Sequence, residues 1–245
     1  MADVRVVSGA TRFRTHTDWL DSAHCFSFGE HYDPTNVGFG RLMVSNHEHL
    51  VAGRGFDDHP HVDAEIVTWV LSGALRHADS TGQRGIVHRG LAQRMSAGRG
   101  VVHQEMNDAA QHDRRFPVAP VEYVQMWVRP DEPGAEPSYA QAGFDPAELD
   151  RGWVAVASGT TDALVGIGAQ ATLWVTRLAP GIRRNLPETG VPSSLHCYVA
   201  VGAARLEGWG HPVDLATGDA VRIAGAHDLA VAGGSETAEL LVWQS

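Results

Sequence analysis

Short apolar, β-branched runs recur along this chain, each closed by a turn, and a helical period almost never interrupts them. Glu65 to Leu71 is the clearest run and is closed by Ser72-Gly73. Leu75 to Ala78 leads into the turn Asp79-Ser80-Thr81-Gly82, and Ile86 to Arg89, Ala92 to Met95, Val101 to Met106 and Val121 to Val128 continue the series. β-Branched and aromatic side chains suit a pleated, half-buried surface, and glycine supplies the backbone freedom of the turns. The rhythm resumes at Trp153 to Ala157, Gln170 to Leu178, Leu195 to Val201, Arg205 to Leu206, Asp219 to Ile223 and Leu240 to Trp243. Strands at this spacing predict an all-β fold, a sandwich or a barrel. The 245 residues suffice for one large domain or two ordinary ones, and 43% hydrophobic residues supply a sizeable core.

Other segments punctuate the rhythm. Arg129 to Pro137 carries three prolines in nine residues and reads as an extended linker. Asp145-Pro146-Ala147-Glu148 carries helix-start chemistry. Nearer the N-terminus, Thr17 to Asp21 predicts one helical turn capped by Thr17, and His24 to Phe28 predicts a short strand. Phe39 to Ser45 and Glu48 to Ala52 predict two strands joined by a turn at Asn46.

Histidine is unevenly spread: 11 of the 14 lie before residue 113. His59 and His61 are two residues apart, as are His103 and Glu105, and each pair follows a glycine-rich stretch, Gly53-Arg54-Gly55 and Gly98-Arg99-Gly100. On a strand, residues at this spacing share a face. Two neighbouring strands could therefore aim three imidazoles and one carboxylate at one point. Such a set suits iron, nickel, cobalt, manganese or zinc. His47 and His49 form a similar pair without a complement, and are expected to be exposed near the Asn46 turn. His77 and His88 are expected to be polar groups on strand faces. Trp69, Met95, Met106, Gln125 and Trp127 are expected mostly in the core, with one or two lining a pocket. No GxSxG or P-loop pattern occurs.

The formal net charge is −10, and no block of Lys/Arg exists to bind a phosphate backbone, so no direct nucleic-acid partner is expected. Cys25 and Cys197 belong to no CxxC and are expected as free buried thiols. Met1 to Val7 lacks the apolar core of a signal peptide, and no run approaches a membrane span, so a cytoplasmic address is expected.

The stretch Gly53-x5-His59-x-His61-x3-Glu65 resembles the first motif of cupins, although seven residues rather than the usual six separate Glu65 from Gly73. Gly100-x2-His103-x3-Asn107 resembles the second motif, with Gly98 where cupins usually carry proline. Gly55-Phe56-x2-His59-Pro60-His61, Val67-Thr68-x-Val70-Leu71-x-Gly73 and Gly98 to Met106 are more closely similar to the pirin family. Phe26-Ser27-Phe28-Gly29-x2-Tyr32-Asp33-Pro34 resembles bacterial pirins described as quercetin 2,3-dioxygenases. The likeness is dense over about residues 12 to 130 and thin afterwards.

This resemblance implies a bicupin, two consecutive double-stranded β-helix barrels, here divided as residues 1–132 with the metal site and 133–245 as linker and second barrel. It implies one divalent transition metal per chain, most simply iron(II), with nickel, cobalt, manganese, copper and zinc left open. The matching ligands are His59, His61, His103 and Glu105. Glu65, nearest to the ordinary cupin glutamate, is expected not to ligate, and either to support the site from behind the ligands or simply to occupy a strand face. In the second half, Pro187 and Thr189 stand where the histidine pair would be, so that barrel is expected to be metal-free. The implied function is oxygenative cleavage of a flavonol such as quercetin with release of carbon monoxide, Glu105 being the natural base. The rival from the same family is a regulator that binds a protein partner according to the metal's oxidation state.

Overall fold

The computed structural model describes residues 3–187, 194–225 and 228–245. In chain order the structure opens with β1 (Asp3–Val7), β2 (Phe13–His16), β3 (Leu20–His24), β4 (Leu42–Leu50), β5 (Gly55–His61), β6 (Glu65–Ser72), β7 (Ala74–Asp79), β8 (Arg84–His88), β9 (Leu91–Ser96), β10 (Val101–Met106), β11 (Val121–Val128) and β12 (Ser138–Gly143). Two single-turn helices, α1 (Ala109–His112) and α2 (Glu148–Arg151), interrupt the strands. Among the described residues no helix is long and apolar enough to cross a membrane.

Among the described residues the strands form two seven-stranded and two four-stranded sheets. One large sheet has the order β12-β9-β6-β11-β4-β3-β2, and its small companion is β5-β10-β7-β8. Leu50, Val70 and Tyr123 of the large sheet pack against Leu75 and Val87 of the small one. The second half repeats this pair of sheets, as the bicupin expectation requires. Its inner core joins Leu195, Val221 and Leu240 to Leu206, Leu215 and Val231.

The two large sheets also pack on each other. Val67, Trp69, Leu71, Val124 and Met126 share one core with Leu173, Val175, Leu241 and Trp243. This explains the continuous apolar run of β6. One of its faces lines the first barrel and the other meets the second half, so Glu65 to Leu71 is buried throughout. Two strands cross between the halves in sequence: β1 pairs with Ala220–Ala224 of the second large sheet, and β12 pairs with β9.

The Pro-rich segment before β12 lies against the turn that precedes β10. The Arg99 amide donates to the Ala135 carbonyl (2.7 Å), and the Gly134 amide donates to Asp63 (2.7 Å). Cys25 and Cys197 are free and buried, as expected.

Three local expectations fail. Thr17 does not cap a helix. Its hydroxyl accepts from the Trp19 and Leu20 amides, closing the hairpin turn between β2 and β3. The same side-chain-to-backbone bond serves a helix start or a tight turn, and strand pairing on both sides selects the turn. The predicted strand His24–Phe28 lies earlier, at β3, and only Phe28 forms an isolated bridge, with His31. Asn46 marks no turn either. It sits buried in mid-strand, with β4 pairing His24 on one side and Gln125 on the other. Its polarity reflects the barrel interior shared with Glu48 rather than a chain reversal.

His47 is therefore half-buried and faces the second half. Its Nδ1 lies 2.7 Å from the Tyr198 hydroxyl and its Nε2 lies 2.8 Å from Glu122. Arg12 Nη1 donates to the same hydroxyl (2.8 Å), which completes a polar clasp between the halves.

Candidate metal centre

β5 and β10 run antiparallel, with His59 opposite His103 and His61 opposite Val101. The register then shifts, so that Glu105 faces Phe56 rather than Asp57. A bulge of this kind re-aims side chains locally. On its other edge β10 pairs with β7, which sets Glu105 opposite His77 and His103 opposite Asp79. Gly55 permits the close approach, because a Cβ there would meet the Glu105 carbonyl oxygen and the Met106 Cα.

The predicted residues come together in two overlapping groups. Donor atoms of His59, His61 and His103 lie within 4.8 Å of one another, and so do those of His77, His103 and Glu105. Ring centroids of His59 and His103 are 4.4 Å apart, and His61 is 4.9 Å from each. Three donors are left buried without a hydrogen-bond partner: His61 Nε2, His103 Nε2 and Glu105 Oε1. Buried polar atoms are almost always satisfied, so three orphans in two donor groups that share His103 call for a ligand. His59 Nδ1 is engaged with its neighbour's Asp57 carbonyl (2.7 Å), which leaves its Nε2 as the lone-pair nitrogen.

Burial lowers the pKa of His103 to about 3 and of His61 to about 4, with the neighbouring imidazoles adding to both shifts. Neutral imidazole is the form that binds a metal. The arrangement therefore fits a transition-metal cation, with nitrogen donors and a carboxylate oxygen available.

Supporting contacts surround these groups. His77, expected as a mere strand-face residue, is fully buried. Its Nδ1 is 3.4 Å from His103 Nδ1, and its Nε2 is 3.1 Å from Asp79 Oδ2. Burial pushes the Asp79 carboxyl up, but hydrogen bonds from Thr81, His77 and the Thr81 and Gln83 amides together hold it below its ordinary value. An ionised Asp79 accepts the hydrogen bond of His77 Nε2–H, so His77 Nδ1 accepts from His103 Nδ1–H and leaves the lone pair of His103 Nε2 free. Such outer partners fix ligand tautomers. The readable signal in the sequence is the spacing His77-x-Asp79, which repeats the two-residue period of the other pairs.

Tyr139 of β12 stacks on His77 with centroids 4.7 Å apart. Trp127 meets His61 edge-on at 4.6 Å, and Gln125 donates to Glu105 Oε2. Gln125 and Trp127 thus line the site, whereas Trp69 and Met95 are core.

Other candidates lie elsewhere. Glu65 is on the face of β6 turned to the second half, where its Oε2 accepts from Ser96 (2.7 Å). Asn107 is structural, donating to the Leu50 and Ala119 carbonyls. Gly98 has φ +49°, which proline cannot adopt, and this accounts for glycine at the cupin proline position. His49 is exposed on β4, and His88 bonds the Arg89 carbonyl at the far end of β8. In the second half, Pro187 accepts from Gln244, while Thr189 lies outside the described residues.

The Pirin family model matches residues 7–128. A Mycobacterium tuberculosis relative, provisionally named as a quercetin 2,3-dioxygenase, is 46% identical over 99% of this chain and 95% of its own length. The quercetin 2,3-dioxygenase of Escherichia coli K12 is 43% identical over 52% of each chain. Among solved structures, the E. coli pirin YhhW in complex with nickel(II) has a TM-score of 0.84 at 28% identity, covering 99% of this chain and 98% of that one. Matched almost end to end in sequence and in fold, the chain belongs to the pirin family.

Proposed function

We propose that this protein is a metal-dependent dioxygenase that opens the ring of a flavonol such as quercetin with release of carbon monoxide. The metal is iron(II), held by His59, His61, His103 and Glu105. The observation that carries the reading is that the buried, unpartnered His61 Nε2, His103 Nε2 and Glu105 Oε1 belong to two donor groups that share His103. Relatives named for the same reaction support the substrate class. Two free cysteines suit a reducing compartment such as the cytoplasm.

Held by His59, His61, His103 and Glu105, iron(II) would supply Lewis acidity and a redox-active centre for a reaction with dioxygen. The chain does the rest. Glu105 accepts the proton of the flavonol 3-hydroxyl, which raises the electron density of the ring that meets dioxygen. Asp79 and His77 keep His103 in the donor tautomer. Trp127 gives the site an apolar wall beside His61, against which a planar ring can stack.

The test uses iron(II)-loaded protein. It should consume oxygen with quercetin, bleach the flavonol's visible absorbance and release carbon monoxide. A flavonoid lacking the 3-hydroxyl should be inert, and chelation should abolish a turnover that metal restores. Absence of turnover with every flavonol, together with a protein partner bound in one oxidation state only, would replace this reading with the regulatory one.

A further inference from the structure

Glu105 is held by a short chain of side chains whose hydrogen bonds the chemistry above does not use. Gln125 Nε2 donates to Glu105 Oε2 at 2.5 Å. The amide oxygen of the same residue accepts from the Trp127 indole Nε1–H at 3.1 Å. An indole nitrogen can only donate, so Trp127 fixes which end of the Gln125 amide faces it, and the NH2 end must then face Glu105. Trp127 is itself held, edge-on to His61 at 4.6 Å and edge-on to Phe28 at 5.6 Å. Both residues belong to β11, two positions apart, so one strand face presents them together.

The consequence falls on the carboxylate. Oε2 is occupied and Oε1 is buried without a partner. We infer that Gln125 is a positioning residue that makes Glu105 a one-oxygen donor, with Trp127 as the lock on the amide. This rests on reading His59, His61, His103 and Glu105 as one metal centre. An unrestrained carboxylate could turn both oxygens toward a cation. Here the second oxygen stays on the amide, which keeps a coordination position open for the substrate hydroxyl.

The experiment compares cobalt(II)-loaded wild type with Gln125→Leu, Trp127→Phe, Glu105→Gln and the double variant Glu105→Gln/Gln125→Leu, each checked by far-UV circular dichroism. The readouts are the cobalt ligand-field spectrum, the cobalt affinity and, after iron loading, the split of kcat from KM. Gln125→Leu should change the spectrum as the freed oxygen joins the metal, and should shift affinity about tenfold. Trp127→Phe keeps the ring packing but loses the N–H, and should move the spectrum in the same direction by less. In the Glu105→Gln background, Gln125→Leu should add nothing further. KM should rise more than kcat falls, because the open position is what substrate loses. Should Glu105→Gln alter the spectrum while folded Gln125→Leu and Trp127→Phe both keep the wild-type spectrum and affinity, the positioning role is overturned and the centre stands. If wild type binds no cobalt, or Glu105→Gln leaves the spectrum unchanged, the centre itself fails and this inference fails with it.

Discussion

At the scale of single residues, the centre depends on a few buried donors whose neighbours fix their protons. His59→Ala, His61→Ala and His103→Ala should each lower metal occupancy sharply, read by elemental analysis, while leaving the β-sheet circular dichroism largely intact. The cores are built from apolar strands and owe nothing to these side chains. Full occupancy in all three variants would refute the assignment. Glu105→Gln and Glu65→Gln separate the two glutamates. The first removes an anionic donor and the proposed base, so activity should fall further than metal content explains. The second alters a carboxylate that bonds Ser96 on the opposite face of its strand, and its effect on metal content should be slight. The reverse ranking would mean that the ordinary cupin glutamate serves here. The two-residue spacings of His59, His61, His103 and Glu105 were legible because a strand's period is two. For His77 the spacing to Asp79 was the one local signal, and it does not separate a histidine that backs a ligand from one that merely faces solvent.

At the scale of elements, the site is a product of strand register. The shift between β5 and β10, with Gly55 beneath it, turns Glu105 toward His77 and away from the solvent-exposed Asp57. The turn before β10 depends on Gly98 for two reasons. Its φ is +49°, and a Cβ would run into the Ala135 carbonyl of the docked Pro-rich segment. Gly98→Ala should destabilise the protein by about 1–3 kcal/mol in denaturant melts, the range for a non-glycine residue held in a strained backbone region. Gly98→Pro should destabilise it more, because the proline ring forbids a positive φ altogether. Equal tolerance of both would show that this turn can reorganise. The strand-like runs foretold most elements here, but hydrophilic side chains misled at Asn46 because that strand points polar groups into a barrel.

At the scale of the whole molecule, two buried titratable groups outside the centre set opposing pH windows. His196 is fully buried against Phe26, and burial first, then Arg222 and Arg12, lower its pKa to about 3. Its folded pKa is below the unfolded one of about 6.5, so the unfolded chain binds the extra proton. The neutral form keeps stability above about pH 6.5, and stability is lost as pH falls from there toward 3. His196→Gln should flatten that acid limb, read as a shallower dependence of the denaturation midpoint on pH between about 6.5 and 4. Glu48 behaves inversely. Burial, with Glu105 adding to it, raises its pKa to about 7 from its ordinary 4.5. A raised carboxyl is stabilising while protonated and loses that advantage as pH climbs from 4.5 through 7. Glu48→Gln should therefore gain stability on wild type at pH 8 relative to pH 5, by an amount on the order of 3 kcal/mol. No such gain would show that the buried carboxyl is solvated or paired.

Periodicity and turn chemistry are local properties, and they were enough to determine that this chain is all-β and that two strands carry the candidate donors on common faces. Motif spacing further placed the first half within a known family, since glycines, histidines and a glutamate in one order reflect one barrel geometry. Tertiary structure decided what depends on residues far apart in the chain. β1 joins the second large sheet over an interval of some two hundred residues, β12 returns Tyr139 to His77, and β11 brings Gln125 and Trp127 to Glu105. Such placements follow from which sheets stack and in what register, and a free energy summed over many distant contacts fixes both. No short window of sequence contains that sum.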